Sequence, residues 1–210
     1  MAISPATSKL IMKAIEESQC SLLKKYGKEI VDTVEKHALG AAAAGVCAGW
    51  VPGVGGTAAL VAAAGFIWSM YYKINKLLGI SLSKSLLKSL ATAVVTNLAA
   101  YAASSVIAST VLSLVPGIGS IAATATAAAI TFAVTIASGI VYLHVMKKFI
   151  GDNTDFSGIS EEEMKNRAKE SISAQDFGSV IKDAMNAYKE GKKNGTITGE
   201  EKVDLEEDEV

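Results

Sequence analysis

The residues able to do chemistry in this chain are few and far apart. There are two histidines, His37 and His144, and two cysteines, Cys20 and Cys47. A structural metal site gathers about four Cys, His or carboxylate ligands at short spacing. Here the histidines are distant from each other, and Glu35, the nearest acid to His37, is two residues away and faces elsewhere on a helix. A nucleophilic thiol needs a base beside it, and neither cysteine has a histidine at helical spacing. The pattern reads as structural or interfacial histidines and inert thiols. The glycine-rich run Gly53-Val54-Gly55-Gly56 lacks the Lys-Ser/Thr of a phosphate-binding loop, so no nucleotide hydrolysis is assigned. Lys24, Lys25 and Lys28 stand beside Glu29 and resemble a solvated helix face, not a nucleic-acid patch. No catalytic residue, cofactor, metal ligand or nucleic-acid partner is assigned.

One stretch has the layout of a calcium loop. From Glu190 through Lys192, Asn194, Gly195, Ile197 and Glu201 it places glycine, an apolar residue and glutamate at the sixth, eighth and twelfth positions. Lys192 occupies a position that calls for an oxygen ligand. Asp155-Phe156-Ser157-Gly158-Ile159-Ser160 resembles the same loop with one residue deleted, and helix capping accounts for both stretches, because Ser160 with Glu163 and Thr198 with Glu201 each form the Ser/Thr-x-x-Glu pattern of a capping box.

The elements that position these residues separate by composition. Residues 1–37 are mixed in charge and read as an amphipathic N-terminal helical region. Residues 38–150 form an apolar hairpin domain in which 38–72 and 89–146 carry no Asp, Glu, Lys or Arg. Residues 151–203 read as a soluble helical region, and 204–210 as an acidic disordered tail; sixteen of the 21 acids lie beyond Gly151. Two cysteines and a single Arg167 among the cations give no disulfide framework of the kind secreted small domains use.

The apolar zone is punctuated twice, at Val51-Pro52-Gly53-Val54-Gly55 and Val115-Pro116-Gly117-Ile118-Gly119. Proline removes a donor and glycine supplies positive φ, so each motif ends one helix and opens the next. The expected fold is all-α: two tandem apolar hairpins with Val-Pro-Gly turns, flanked by amphipathic helices, and an internal duplication. Helices are expected over 38–50, 57–79, 83–113 and 119–149, with a broken amphipathic helix over 5–37. Two more follow near 160–173 and 176–190, where Phe177, Val180, Ile181, Ala184, Met185 and Tyr188 recur at helical spacing.

A spanning helix needs about 20 apolar residues to cross about 30 Å of hydrocarbon. Segments 89–115 and 118–146 are long enough, whereas 38–50 and 57–72 are short. Lysines provide an independent check, since they stay on the cytoplasmic side of short loops. Lys36, Lys73, Lys76, Lys147 and Lys148 all fall at the hairpin bases and none at the Val-Pro-Gly turns. Both termini are then cytoplasmic, and Trp68, Tyr71, Tyr72 and Tyr142 suit an aromatic belt at that interface. Small residues at four-residue steps, Gly119, Ala123, Ala127, Thr131, Thr135 and Gly139, allow close helix packing and self-association. Asn97, Tyr101, Ser105 and Ser109 make a polar row on the preceding helix, read as helix packing or as the lining of a polar path.

With Leu82-Ser83-Lys84 between its two Val-Pro-Gly hairpins, the chain resembles an uncharacterised bacterial family over about residues 45–150. In that family a helical hairpin membrane domain is often fused behind a small GTPase domain. The resemblance implies membrane association and a GTPase as cytosolic partner; no GTPase domain is present here, and no functional residues carry over. The expected function is that of an integral membrane protein without enzymatic activity, an anchor, scaffold or self-assembling element of the lipid bilayer, as a homo-oligomer. An alternative is an amphitropic or pore-forming protein whose soluble Ala-rich bundle hides its hairpin beneath segments 8–34 and 160–190. A third is a channel or transporter subunit.

Overall fold

The computed structural model describes residues 5–47, 55–110, 119–151 and 156–198. Among them the chain is all-α, with no strand. The helices are α1 (Pro5–Ser18), α2 (Ser21–Lys25), α3 (Gly27–Cys47), α4 (Gly55–Leu78), α5 (Lys84–Thr110), α6 (Gly119–Gly151), α7 (Glu161–Ser173) and α8 (Phe177–Lys193), with a 3-10 turn at Phe156–Gly158.

Local chemistry explains most of the boundaries. Pro5 opens α1, where its missing N–H costs nothing, and Thr7, Ile11, Ala14, Ile15 and Ser18 form the buried stripe. Gln19 then turns left-handed at φ 53° and ends the helix. Ser160 caps α7 by accepting from the Glu163 N–H at 3.1 Å, and Asp176 caps α8 by accepting from the Ser179 N–H at 3.1 Å. Of the hairpin-turn residues, Gly55 and Gly119 are the first residues of α4 and α6. Pro52, Gly53, Pro116 and Gly117 lie outside the described residues, as does the tail 204–210.

One boundary differs from expectation. The change from mixed to apolar composition at 37/38 falls in the middle of α3, which runs unbroken from Gly27 to Cys47. Charge content changes there without a helix breaker, and the alanines that follow are the strongest helix formers. The break in the N-terminal helix comes earlier, at Gln19–Cys20 and again at Tyr26.

Helix α6 is the axis of the fold. It packs against α1, α3, α4, α5, α7 and α8, and every residue from Thr131 to Leu143 is buried. A helix that is apolar on all sides must be covered on all sides. Its hydroxyls turn back on their own backbone: Thr131 donates to the Ala127 carbonyl at 2.9 Å, Thr135 to Thr131 at 2.9 Å, and Ser138 to Val134 at 2.7 Å. Neighbours therefore meet methyl and methylene groups. Among the described residues α6 lies more extensively against α3 and α8 than against α5, so the apolar helices are interleaved into one bundle.

Candidate functional site

The feature with functional content is the enclosure of α6. The segment Ala125–Gly151 is, among the described residues, the one long and apolar enough to cross a bilayer, and 89% of its most apolar window is buried by the rest of the chain. The second expected span, 89–115, is described as far as Thr110 within α5. Its Thr92, Thr96 and Asn97 face solvent. These side chains donate to the carbonyls of Lys88, Thr92 and Ala93 at 2.9, 2.8 and 2.7 Å. Asn97 thus sits on the outside of the bundle, and Tyr101 is half-buried against the core.

The covering is built from amphipathic helices. In α8, Phe177, Ile181, Ala184, Met185 and Tyr188 are buried, and Tyr188 meets Phe132 of α6 with ring centroids 5.1 Å apart. In α7, Met164, Ala168 and Ile172 are buried, and the Arg167 guanidinium lies over the Phe149 ring at 5.6 Å. The polar contacts between cover and core sit at the rim. Lys147 donates to the Glu17 carbonyl at 3.2 Å, Lys148 pairs with Glu170 at 3.2 Å, Gln175 lies 3.2 Å from the His144 ring, and Ser89 donates to Glu161. The Ser89 and Lys165 hydrogen bonds hold the Glu161 carboxyl below its ordinary range, Lys165 first. Exposed pairs of this kind contribute about 0–1 kcal/mol each, so the cover is held chiefly by buried apolar surface.

Helix α1 is fastened differently. Glu35 of α3 is fully buried and accepts from the Thr7 and Ser8 hydroxyls, each at 2.7 Å. Two residues further along α3, His37 is also buried. It donates from Nδ1 to the Thr33 carbonyl at 2.7 Å, and its Nε2 lies 3.4 Å from the Ser69 hydroxyl of α4. Burial, opposed by the Thr33 bond and reinforced by Lys73 and Lys36, brings its pKa down to about 4. The imidazole is therefore neutral at pH 7, with a structural contact on each side.

The seam between α4 and α6 is polar. Tyr71 and Tyr142 stack with centroids 4.1 Å apart. Tyr71 donates to the Ser138 carbonyl at 3.1 Å and Tyr142 to Asn75 Oδ1. The equal sequence offset of these two bonds means that α4 and α6 run in the same direction. The Asn75 amide nitrogen is buried without a partner, a defect that costs about 1–3 kcal/mol.

The aromatic belt expected from sequence is thus divided. Tyr71 and Tyr142 lie in the core, while Trp68 and Tyr72 are half-buried at the surface near Lys73 and the exposed Lys76. Lys36 is exposed, and Lys147 and Lys148 are half-buried at the rim. The small-residue row also packs inside the chain. A Cβ on Gly139 would lie 2.9 Å from a Val34 methyl of α3, and Ala127 is buried; the Ala123 side chain is outside the described residues.

Among the described residues no group of three or more His, Cys, Asp or Glu is placed to hold a metal ion. In the calcium-like stretch Asn194 Oδ1 accepts from the Thr196 N–H and hydroxyl, at 3.1 and 2.7 Å, and the Lys192 ammonium donates to the Thr198 carbonyl at 2.7 Å. These oxygens close a turn at Gly195, φ +76°. Glu201 lies outside the described residues. No protein-family model matches the chain, and neither a curated protein nor a solved structure matches it. The resemblance drawn from the Val-Pro-Gly hairpins therefore rests on those motifs alone.

Proposed function

We propose that this chain is an amphitropic helical protein, which keeps a bilayer-length apolar helix inside a cover of amphipathic helices and anchors itself by transferring that helix into lipid. The observation that supports this reading is the enclosure of Ala125–Gly151, apolar enough to span and covered by the protein's own helices. The amphipathic helices α1, α7 and α8 supply part of that cover beside α3, α4 and α5; α1 is also tied by the buried Glu35, whereas α7 and α8, with weak polar contacts at the rim, are separable from the core without breaking any secondary structure. In the inserted form α6 enters as a hairpin with α5, so that the lysine-rich bases and both termini stay on the cytoplasmic side, following the positive-inside rule. The small-residue row, freed from Val34, becomes available for pairing between copies. A GTPase as the cytosolic partner follows from the hairpin resemblance.

The competing reading is a bundle whose core helix never leaves, because an ordinary buried helix has the same length and composition. Alkaline carbonate extraction separates the two. Purified protein, monodisperse without detergent, is incubated with liposomes and washed. Insertion predicts that a fraction of the protein becomes resistant to extraction. Complete recovery in the wash, at every lipid composition and at pH 5 as well as pH 7, rejects it in favour of the permanent bundle.

A further inference from the structure

Three polar links between the core and its cover converge on little more than one turn of α6. At His144 the Gln175 amide nitrogen lies 3.2 Å from each of the two ring nitrogens, an equal spacing that sets the amide against the ring rather than on one lone pair. Gln175 belongs to the corner between α7 and α8. Lys147 donates to the Glu17 carbonyl near the end of α1, and Lys148 pairs with Glu170 near the end of α7. The His144 side chain is half-buried. Burial, reinforced by Lys147 and Lys148 and opposed by Glu17, holds its pKa below the ordinary 6.5. The charges that bear most on the ring are thus two lysines of its own helix and one acid of α1, and none of these comes from α3, α4 or α5. On the side of the cover, Glu170 is engaged by Lys148, and Asp176 caps α8 through the Ser179 N–H. Asp152 and Asp155 lie outside the described residues. The other histidine, His37, sits between α3 and α4 and titrates only near pH 4.

We infer that this turn of α6 is an acid-sensitive latch, in which a proton taken up by His144 lifts the α7–α8 corner away from the core. A neutral imidazole fits against the Gln175 amide beside two ammonium groups. An imidazolium there is a third cation within one turn, and like charges at such spacing on a helix repel. The charged ring also needs hydration, which its burial withholds. The corner is the part able to yield. Ser173, Ala174, Gln175 and Asp176 are exposed, so their movement uncovers water-facing chain first, with the buried Ile172 and Phe177 as the hinges on either side. A closed form that binds the proton less readily than the open one loses population as the pH falls below 6.5. This inference rests on the amphitropic reading and deepens it by naming mild acid as the signal that loosens the cover.

The test is hydrogen–deuterium exchange of the full chain without lipid, at about pH 7.5 and about pH 5.5, corrected for the intrinsic pH dependence of amide exchange. The His144 pKa is read in parallel from its ring-proton shifts by NMR. Expected in acid is a loss of protection over about residues 170–181, of at least about two-fold, which two like-charge pairs at this spacing supply. The loss should persist in His37→Gln and disappear in His144→Gln. His144→Arg, charged at every pH, should show the loosened corner already at about pH 7.5. A ring pKa at or above 6.5, full protection in acid, or the same acid loss in His144→Gln would each overturn the latch. The two ideas fail separately. Acid loosening without any carbonate-resistant fraction removes insertion and leaves the latch, whereas equal insertion in acid by His144→Gln and the unaltered chain removes the latch alone.

Discussion

Helices α4 and α6 run side by side in the same direction, both apolar, yet they are treated differently. Among the described residues α6 packs against six other helices, whereas α4 packs substantially against three, α3, α5 and α6. The difference lies in where their large polar groups fall. Helix α6 has no charge before Lys147, and its Thr131, Thr135 and Ser138 hydroxyls are bonded to its own carbonyls. Helix α4 collects Trp68, Tyr72, Lys73 and Lys76 toward one side and turns Ile67, Met70, Tyr71 and Ile74 inward. Apolar content alone thus does not decide burial. The placement of a few amphipathic side chains does, because each keeps a polar tip in water.

That contrast can be broken most directly at Phe132, which is fully buried on α6 against Tyr188 of the cover. Phe132→Ala is expected to lower stability by about 3–5 kcal/mol, read from urea unfolding. If α8 is only loosely applied to α6, the loss will be under about 1 kcal/mol. The next largest effect is a pH dependence centred on the contact of α3 with the inner side of α4. His37 binds a proton near 6.5 when unfolded but only near pH 4 when folded. The unfolded chain therefore takes up more protons within that window, and stability falls as pH drops from 6.5 to 4. The expected loss is about 3 kcal/mol, and His37→Gln should flatten that part of the curve.

A matched pair of glycines sharpens the comparison further. On α6 a Cβ at Gly139 meets Val34 at 2.9 Å, while on α4 a Cβ at Gly65 meets nothing within 4 Å. Gly139→Ala should cost about 1–3 kcal/mol through overpacking. Gly65→Ala should raise stability by about 0.5–1 kcal/mol, since alanine is the better helix former. Equal signs in thermal melts would mean that the two helices are packed alike. Smallest is Lys148→Ala at the rim, which removes an exposed pair with Glu170. Its effect is expected to stay within about 1 kcal/mol and to vanish at high salt.

The helix inventory was largely legible in the sequence, because its punctuation is local. Pro5, the Ser160 cap and the glycines at 55 and 119 each act on their own turn of backbone. Relations between helices were less legible. Tyr71 and Tyr72 are adjacent in sequence, but one residue rotates about 100° around a helix, which sends Tyr71 into the seam with Tyr142 and Tyr72 to the surface. Nothing local distinguishes them. Likewise a run such as 125–151 has the same composition whether its surroundings are lipid or protein. The decision is made by the helices that pack on it, α3 and α8 most extensively, which are distant in sequence. The pairing of Lys88 with Trp68 and Lys84 with Tyr72 is also tertiary, although the four-residue spacing of Trp68 from Tyr72 and of Lys84 from Lys88 hints at it.

The inward-turned hydroxyls of Thr131, Thr135 and Ser138 have one more consequence. A helix whose polar atoms are all served by its own chain has no debt to any particular neighbour along those turns, so exchanging a side chain of α3 for an acyl chain would leave those three bonds intact. The buried polar bonds that would have to be surrendered on departure are those of Tyr71 with Ser138 and Tyr142 with Asn75. The other polar contacts given up, those of Lys147, Lys148 and His144, lie at the rim, where water can replace them.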